Sequence, residues 1–218
     1  MMLSVKSLSR SFGGVAAGSD VSFDVKKGHV HAVIGPNGAG KTTLFNLISG
    51  VYEPDAGSIH LDGQDISGCA PETLAKKGMS RTFQNLQVCM NMTAIENVML
   101  GAHLHQNQSL WAGVLGLTKS ADKRLREEAV ALMTYVGVSE YADSHATQLS
   151  FGVLKRLEIA RALASKPRLL LLDEPAAGLN DSETHAMTTL IRRIAEGGIT
   201  VLLVEHDMKM VMGISDHI

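Results

Sequence analysis

The sequence predicts an α/β fold in which a mixed sheet carries helices on both sides, an antiparallel β subdomain lies at the N-terminus and a helical subdomain is inserted. Three observations predict this architecture. A strand-like run, Val30 to Ile34, enters a glycine-rich segment that opens a helix. Four successive leucines, Leu169 to Leu172, indicate a strand buried on both faces, as in a parallel sheet. Between these two features, amphipathic helical patterns replace the strand patterns.

Composition places the chain among globular proteins. Its 218 residues suffice for one substantial core and a small subdomain, and 45% of them are hydrophobic. A net charge of −2 provides no basic excess for binding nucleic acid. Cys69 and Cys89 have neither metal nor redox spacing, so we expect reduced cysteines and a cytoplasmic location. With no signal-peptide pattern and no apolar run of about 18 residues, we expect the chain to work from outside the lipid.

Two stretches near the N-terminus, residues 3–8 and 21–25, alternate apolar and polar side chains and predict half-exposed strands of an antiparallel sheet. Phe12 falls between them, at a predicted turn. Its ring has two interpretations, a surface that stacks on adenine or ordinary packing at the turn, and spacing alone favours packing.

Residues 35–42 fit the pattern Gly-x-x-x-x-Gly-Lys-Ser/Thr, a loop that wraps the phosphates of a nucleotide. The glycines let the backbone turn tightly and bring N–H groups against phosphate oxygens. Lys41 supplies a point charge for the β and γ phosphates, and the Thr42 hydroxyl is a hard oxygen ligand for Mg²⁺. The N-terminus of the following helix adds its dipole. The predicted phosphate loop comprises Gly35, Pro36, Asn37, Gly38, Ala39, Gly40, Lys41, Thr42 and Thr43.

The next part of the chain predicts an edge strand at residues 58–63, a short helix at 71–77 and a strand-like run at 79–83 that leads into Gln84. The neutral amide of Gln84 suits a position near a metal or a water molecule. A surface glutamine is the simpler interpretation when the residue is considered in isolation.

Residues 93–148 predict helices. Thr93 to Glu96 form a capping box, and Ala121 to Val136 form an amphipathic helix. His105 to Ser120 predict a loop whose apolar side chains either pack on the helices or form a docking surface. We predict one domain, in which residues 85–165 are a helical subdomain inserted into an α/β core of residues 1–84 and 166–218.

We predict that Ser150 is the N-cap of another helix and that Gly152 lies in its first turn. These two residues have a structural interpretation, a capped helix start. They also have a functional one, because an exposed helix N-terminus with a hydroxyl and a bare backbone suits an anion.

Two carboxylates, Asp173 and Glu174, end the leucine-rich strand. In a protein with a phosphate loop, the first can complete the Mg²⁺ shell and the second can orient or deprotonate a water molecule. The next buried strand, residues 199–204, leads to His206. Because ligands of open α/β sheets gather at the carboxyl ends of strands, we expect these residues and Gly35 to converge. His29 with His31, and His103 with His105, have the spacing of metal pairs, but nothing else in the sequence supports a metal there.

Taken together, these residues resemble the ATP-binding subunit of an ABC transporter, which has a P-loop NTPase core. Motifs in the order and spacing of that family cover nearly the whole chain. A more specific resemblance, to the branched-chain amino acid importer subgroup, depends on Glu96–Gly101, Arg156–Arg161 and Ala176–Asn180. The family motifs are Gly35–Thr43, Gln84, Leu149–Gly152, Leu169–Pro175, Ala177–Asn180 and His206.

The resemblance implies roles for the residues around the nucleotide, with ATP and Mg²⁺ as cofactors. Thr42 and Asp173 would hold Mg²⁺, and Gln84 would sit beside the metal and the water. Glu174 would act as general base on the attacking water. His206 would contact the γ-phosphate.

Other implied roles concern the adenine and a second subunit. Phe12 would be the aromatic residue that stacks on adenine. Ser150 and Gly152 would bind the γ-phosphate of an ATP molecule held by the opposite subunit, so that two subunits trap two ATP molecules in a closed head-to-tail dimer.

The resemblance also implies partners and a location. The chain would pair with itself or with a related ATPase subunit, dock on transmembrane permease subunits, and serve a periplasmic or extracellular solute-binding protein indirectly, with no nucleic acid. It would lie at the cytoplasmic face of the inner or plasma membrane. Two departures stand out. Val153 replaces the usual polar residue after Gly152, the glycine of the signature motif Leu149–Gly152, and could alter the dimer surface. The C-terminal strands and helix usual in the family are missing after Ile218, which predicts an unpaired sheet edge.

Two other classes of function compete with an importer ATPase. A soluble ABC ATPase acting on nucleic acid or ribosomes generally carries coiled-coil insertions, tandem domains or basic extensions, and none is evident. A phosphate-loop kinase of small molecules needs an acceptor site, and no lid-like cluster of arginines is evident.

Overall fold

The structure, a computed structural model, describes residues 1–13, 15–102 and 118–218, and divides into two compact units. Unit 1 comprises Met1–Gln84 and Arg168–Ile218, and unit 2 comprises Asn85–Pro167. The division of the domain into an α/β core and an inserted helical subdomain of residues 85–165 stays a prediction. The His103–His105 pair and most of the predicted loop at 105–120 lie outside the described residues.

An antiparallel sheet opens unit 1, in the order β2-β1-β4-β5. In β1 and β2, Leu3 pairs with Val25 at one end and Phe12 pairs with Val15 at the other. Both strands are therefore longer than the alternating patterns predict, because register shifts let the pairing continue beyond them. Phe12 is the last residue of a strand and does not lie in a turn. The strands are β1 (Leu3–Phe12), β2 (Val15–Val25), β4 (Ala56–Leu61) and β5 (Gln64–Asp65).

A parallel sheet forms the centre of unit 1, in the order β3-β8-β7-β6. Every residue of β7 and β8 is buried, as the leucine-rich run predicts for a sheet covered on both faces. Because the strands are parallel, their carboxyl ends meet at one edge. The strands are β3 (Val30–Val33), β6 (Met79–Arg81), β7 (Leu169–Asp173) and β8 (Thr200–Val204).

Four helices complete the described part of unit 1. The first follows the glycine-rich loop and buries Phe45 and Ile48 completely against both sheets. Asn180 caps the third with its side chain. The fourth was not predicted, because seven residues are too few to establish a helical period. The helices are α1 (Lys41–Ile48), α2 (Pro71–Lys76), α6 (Asp181–Glu196) and α7 (Met208–Ile214).

The described part of unit 2 contains α3 (Ala94–Gly101), α4 (Thr118–Val136), α5 (Phe151–Ala164) and two short 3₁₀ helices. The capping box at Thr93 and Glu96 is confirmed. At Gly101 a Cβ atom would lie 2.1 Å from the carbonyl oxygen of Arg161, so α3 and α5 approach too closely for any other residue. Among the described residues, none of the helices combines the length and the apolar character needed to cross a bilayer.

The outer edge of β3 is partly covered, contrary to the expectation of an unpaired edge. Asp216 donates its backbone N–H to Val30 O at 2.8 Å, and His217 O accepts from Ala32 N–H at 3.0 Å. The pairing stacks His217 on His31, with ring centroids 4.6 Å apart. Burial, followed by repulsion from His217, lowers the pKa of His31 to about 4. No three metal-binding side chains are grouped as a metal site within the described ranges.

Candidate functional site

The glycine-rich loop starts α1 with a backbone conformation that requires glycine. Gly40, the N-cap, has φ 85, in the left-handed region. A Cβ atom on it would lie 2.1 Å from the carbonyl oxygen of Ala17 on β2. The loop is thus seated against the neighbouring strand, and the free N–H groups of the first helical turn point out of its concave side.

Lys41 closes this loop on itself. Its Nζ donates hydrogen bonds to the carbonyl oxygens of Gly35 and Pro36, at 2.7 and 2.9 Å, and the side chain is buried. The ammonium group therefore lies at the centre of the loop with neutral acceptors only. A phosphate oxygen offers a stronger, charge-assisted acceptor, so an anion entering the loop can take over these hydrogen bonds.

A cavity of about 780 Å³ adjoins the loop. Its volume lies in the range of nucleotide-sized ligand sites. It brings most of the predicted phosphate loop together with three residues from the ends of other strands. The cavity is lined by Ala16, Ala17, Asn37, Gly38, Gly40, Lys41, Thr42, Thr43, Gln84, Glu174 and His206.

Glu174 lies at the centre of the polar cluster in this cavity. Its Oε2 accepts a hydrogen bond from Gln84 Nε2 at 3.1 Å, and its Oε1 lies 2.8 Å from His206 Nε2. The backbone of Glu174 has φ 49, a left-handed conformation that is uncommon for residues other than glycine. A carboxylate, an imidazole and an amide thus meet where β6, β7 and β8 end. This arrangement can bind and orient a water molecule and accept its proton.

Asp173 occupies a different position from its neighbour. Its side chain is buried and is not among the residues that line the cavity. Its Oδ2 accepts a hydrogen bond from Arg81 Nη2 at 2.8 Å. Arg81 was not predicted as a site residue, because only the pairing of β6 with β7 brings it beside this carboxylate.

Residues 19–177 of this chain match the ABC transporter family. The chain belongs to the ABC transporter family.

Individual relatives agree with this assignment. The chain is 44% identical over 220 residues to the high-affinity branched-chain amino acid transport ATP-binding protein BraF of Pseudomonas aeruginosa, covering 100% of this chain and 86% of that protein. A nucleotide-free ATP-binding cassette from an ABC transporter matches it with a TM-score of 0.86 and 32% identity, over 99% of this chain and 85% of that chain. A dimeric structure of MJ0796, a bacterial ABC transporter cassette, matches with a TM-score of 0.84 and 25% identity, over 98% and 91%.

The family assignment confirms the predicted family, the predicted fold class and the predicted class of enzyme, an ATPase. It does not assign roles to individual residues, and those predicted from the sequence stay predictions.

In this ABC family member, Phe12 lies outside the residues that line the cavity. Its ring makes an edge-to-face contact with Tyr52, with centroids 5.3 Å apart, and the guanidinium carbon of Arg10 lies 5.0 Å from its centroid. Phe12 is 41% exposed. Stacking on adenine stays a prediction for this residue.

The signature residues of the ABC family belong to unit 2, at the start of α5. Ser150 is the N-cap, and its Oγ accepts from Val153 N–H at 3.5 Å. Gly152 and Val153 are both buried. The departure from the usual polar residue therefore places an apolar side chain inside unit 2, which explains how valine is accommodated there. Binding of an anion by Ser150 and Gly152 stays a prediction.

Glu205, which was not predicted as a site residue, connects the two loops beside the cavity. This buried carboxylate accepts from Ala176 N–H at 2.7 Å through Oε1, and from His206 N–H at 2.9 Å through Oε2. It thereby ties the backbone after β7 to the backbone after β8. The signal was a third acidic residue at the end of a buried strand, directly before the histidine.

Proposed function

We propose that this chain is the ATP-binding and ATP-hydrolysing subunit of an ABC importer for branched-chain amino acids or a similar small polar solute. One observation carries the hydrolytic part, namely the cluster of Glu174, Gln84 and His206 in the cavity beside the phosphate loop. The similarity to BraF, over the full length of this chain, supports the importer and its class of solute.

ATP would enter the cavity with its phosphates in the loop of residues 35–43. Lys41 would exchange its bonds to Gly35 O and Pro36 O for phosphate oxygens, and the N–H groups at the start of α1 would bind the remaining charge. The exposed ring of Phe12 would supply a stacking surface for the adenine. Its contacts with Tyr52 and Arg10 fix its orientation in advance.

Mg²⁺ fits the donors found in unit 1. Thr42 and Gln84 line the cavity, and the carboxylate of Asp173 lies at the end of β7. Hydroxyl, amide and carboxylate oxygens are the hard ligands that this cation takes, and these three residues would hold it. When bound, the cation neutralises charge that develops on the transferred phosphoryl group.

Glu174 would accept a proton from the attacking water while the water oxygen bonds to the γ-phosphorus and the bond to the β–γ bridging oxygen breaks. Both of its carboxylate oxygens are hydrogen-bonded in this structure, to Gln84 and to His206. For the base to act, at least one of these partners has to turn away. His206 would turn toward the γ-phosphate and Gln84 toward the cation, so that binding of the substrate frees the base.

Unit 1 would then be the α/β core of the cassette and unit 2 its helical subdomain. Ser150 and Gly152 would face the ATP of a second ATPase subunit, either identical or related, in a dimer of the kind found for the MJ0796 cassette. Permease subunits would anchor this dimer at the cytoplasmic face of the membrane, and a solute-binding protein would act through them.

Glu174→Gln tests the catalytic part of the proposal. The amide keeps the size of the side chain but cannot take the proton, so we expect turnover to fall by about 1,000-fold or more while ATP binding persists. Phosphate release and calorimetric binding of Mg·ATP measure the two effects. Glu196→Gln, an exposed residue at the end of α6, is the matched control and should behave like the parent.

Hydrolysis by Glu174→Gln at the parental rate would contradict the assignment of the base. For the importer itself, the decisive measurement is ATP-dependent uptake of labelled leucine into vesicles that contain the permease subunits. ATPase activity that responds to nucleic acid or ribosomes, and not to permease and solute, would favour a soluble role instead.

A further inference from the structure

Arg81 forms a buried ion pair with the carboxylate that ends β7. It is the last residue of β6, and it pairs with Leu171 on the neighbouring strand. The side chains of Arg81 and Asp173 are only 6% and 5% exposed, and their closest atoms are 2.8 Å apart. Charges this far from water are screened weakly, so each strongly affects the other.

The guanidinium group is fixed in place by α1 and by two aromatic rings. Its Nη1 donates to Asn46 Oδ1 and to Ser49 Oγ, both at 2.7 Å. Its central carbon lies 5.6 Å from the centroid of Phe45 and 4.6 Å from that of Phe83. Moving the arginine away from Asp173 would leave these buried hydrogen bonds unmade, so the positive charge stays where it is.

The fixed positive charge of Arg81 beside this carboxylate opposes the binding of a second cation. A divalent ion that approaches Asp173 is repelled by the guanidinium, and the low dielectric of the site strengthens that repulsion. The phosphates of a bound nucleotide supply the negative charge that reverses the balance. Electrostatics therefore favours binding of the nucleotide before, or together with, the divalent cation.

We propose that Arg81 keeps divalent cations from Asp173 until a nucleotide is bound, so that metal enters only with, or after, ATP. This inference rests on the proposed function, in which Asp173 serves Mg²⁺. Arg81 is a positioning residue in this role, because it acts through the carboxylate and touches no substrate.

Mn²⁺ binding in the absence of nucleotide tests the inference, with the signal of free Mn²⁺ in electron paramagnetic resonance as readout. Arg81→Gln keeps a hydrogen-bond donor but removes the charge. We expect it to bind Mn²⁺ about tenfold more tightly than the parent, a change of about 1.4 kcal/mol. Arg81→Lys retains the charge and should stay near the parent.

Two controls separate this effect from a general change in charge. Arg168→Gln removes an arginine that pairs with Asp62 next to the opposite end of β7, and Mn²⁺ binding should not change. In the double variant Arg81→Gln, Asp173→Asn, the gain should vanish, because the carboxylate that attracts the ion has been removed.

Equal or weaker Mn²⁺ binding by folded Arg81→Gln would overturn the inference, and so would a gain that survives the Asp173→Asn change. If circular dichroism shows that Arg81→Gln does not fold, Asn46→Ala loosens one anchor of the guanidinium. It should tighten Mn²⁺ binding by about threefold, or 0.65 kcal/mol, and no gain would again overturn the inference. Failure of the proposed function is a separate result, in which the parent binds no ATP even with Mn²⁺ present.

Discussion

Unit 1 and unit 2 use polar side chains in two different ways. In unit 2, Asn97 is completely buried, and its amide bonds the backbone N–H and carbonyl of Cys89 and the carbonyl of Thr93. In unit 1, the side chains of Glu174 and His206 remain 18% and 41% exposed and bond mainly to side chains that can rotate. Saturated buried groups fix one conformation, whereas half-exposed groups can exchange partners when a ligand enters.

The largest effect on ATP binding is expected from a change in unit 1, where polar groups can exchange their hydrogen-bond partners. Lys41→Ala removes the ammonium group that lies between loop carbonyls and incoming phosphate. ATP affinity should fall by about 100-fold, which corresponds to the loss of about 3 kcal/mol from charge-assisted hydrogen bonds. Calorimetry measures the affinity, and Lys76→Ala, an exposed lysine of α2, is the control. An unchanged dissociation constant would mean that phosphate does not displace the loop carbonyls.

Asn97→Ala should destabilise unit 2, where the buried amide has all its hydrogen-bond partners, and should leave the cavity of unit 1 intact. Three side-chain hydrogen bonds disappear. The backbone N–H and carbonyl of Cys89 lose the amide that pairs with them, whereas the carbonyl of Thr93 keeps its bond from the backbone N–H of residue 97. The free energy of unfolding should fall by about 2–4 kcal/mol, with ATP affinity within about twofold of the parent. Urea denaturation measures the first quantity, and Asn91→Ala, at an exposed position nearby, should cost less than about 0.5 kcal/mol. A stable Asn97→Ala variant would show that this amide is dispensable.

His31 is an intermediate case, a titratable group buried at the edge of β3. Its Nε2 accepts from Lys26 N–H, and burial with the nearby His217 and His29 lowers its pKa to about 4. Between pH 6.5 and 4 the unfolded chain binds a proton that the folded chain does not. Stability is therefore complete above pH 6.5 and decreases as the pH falls toward 4.

The expected loss is about 1–2 kcal/mol, after allowance for solvent screening of the partly exposed charges around His31. Thermal unfolding at a series of pH values measures it. His31→Gln should flatten the dependence over this range, and the exposed His185→Gln should not. Identical pH profiles for His31→Gln and the parent would show that another group is responsible.

The features that the sequence predicts well are those set by local chemistry. The capping box at Thr93 depends on residues three apart, and the burial of β7 follows from its leucines alone. Arg81 and Glu205 could not be assigned in the same way, because their partners are distant in the chain. The Arg81–Asp173 bond spans 92 residues, and only the pairing of β6 with β7 brings these side chains together.

The length of β1 and β2 illustrates the same limit. Alternation fades after Leu8, but pairing with the partner strand continues to Phe12. That continuation changes the position of the ring from a turn to the end of a strand. Tertiary pairing, which no short window of sequence contains, determined the outcome.

The left-handed backbone at Glu174 has a consequence for evolution and engineering alike. This conformation costs an ordinary residue about 1–2 kcal/mol relative to glycine. The fold therefore tolerates this cost in stability at Glu174, the residue that we propose as the general base. Replacement by glycine should relieve the backbone strain and abolish ATP hydrolysis. Stability and catalytic activity therefore favour different residues at this position.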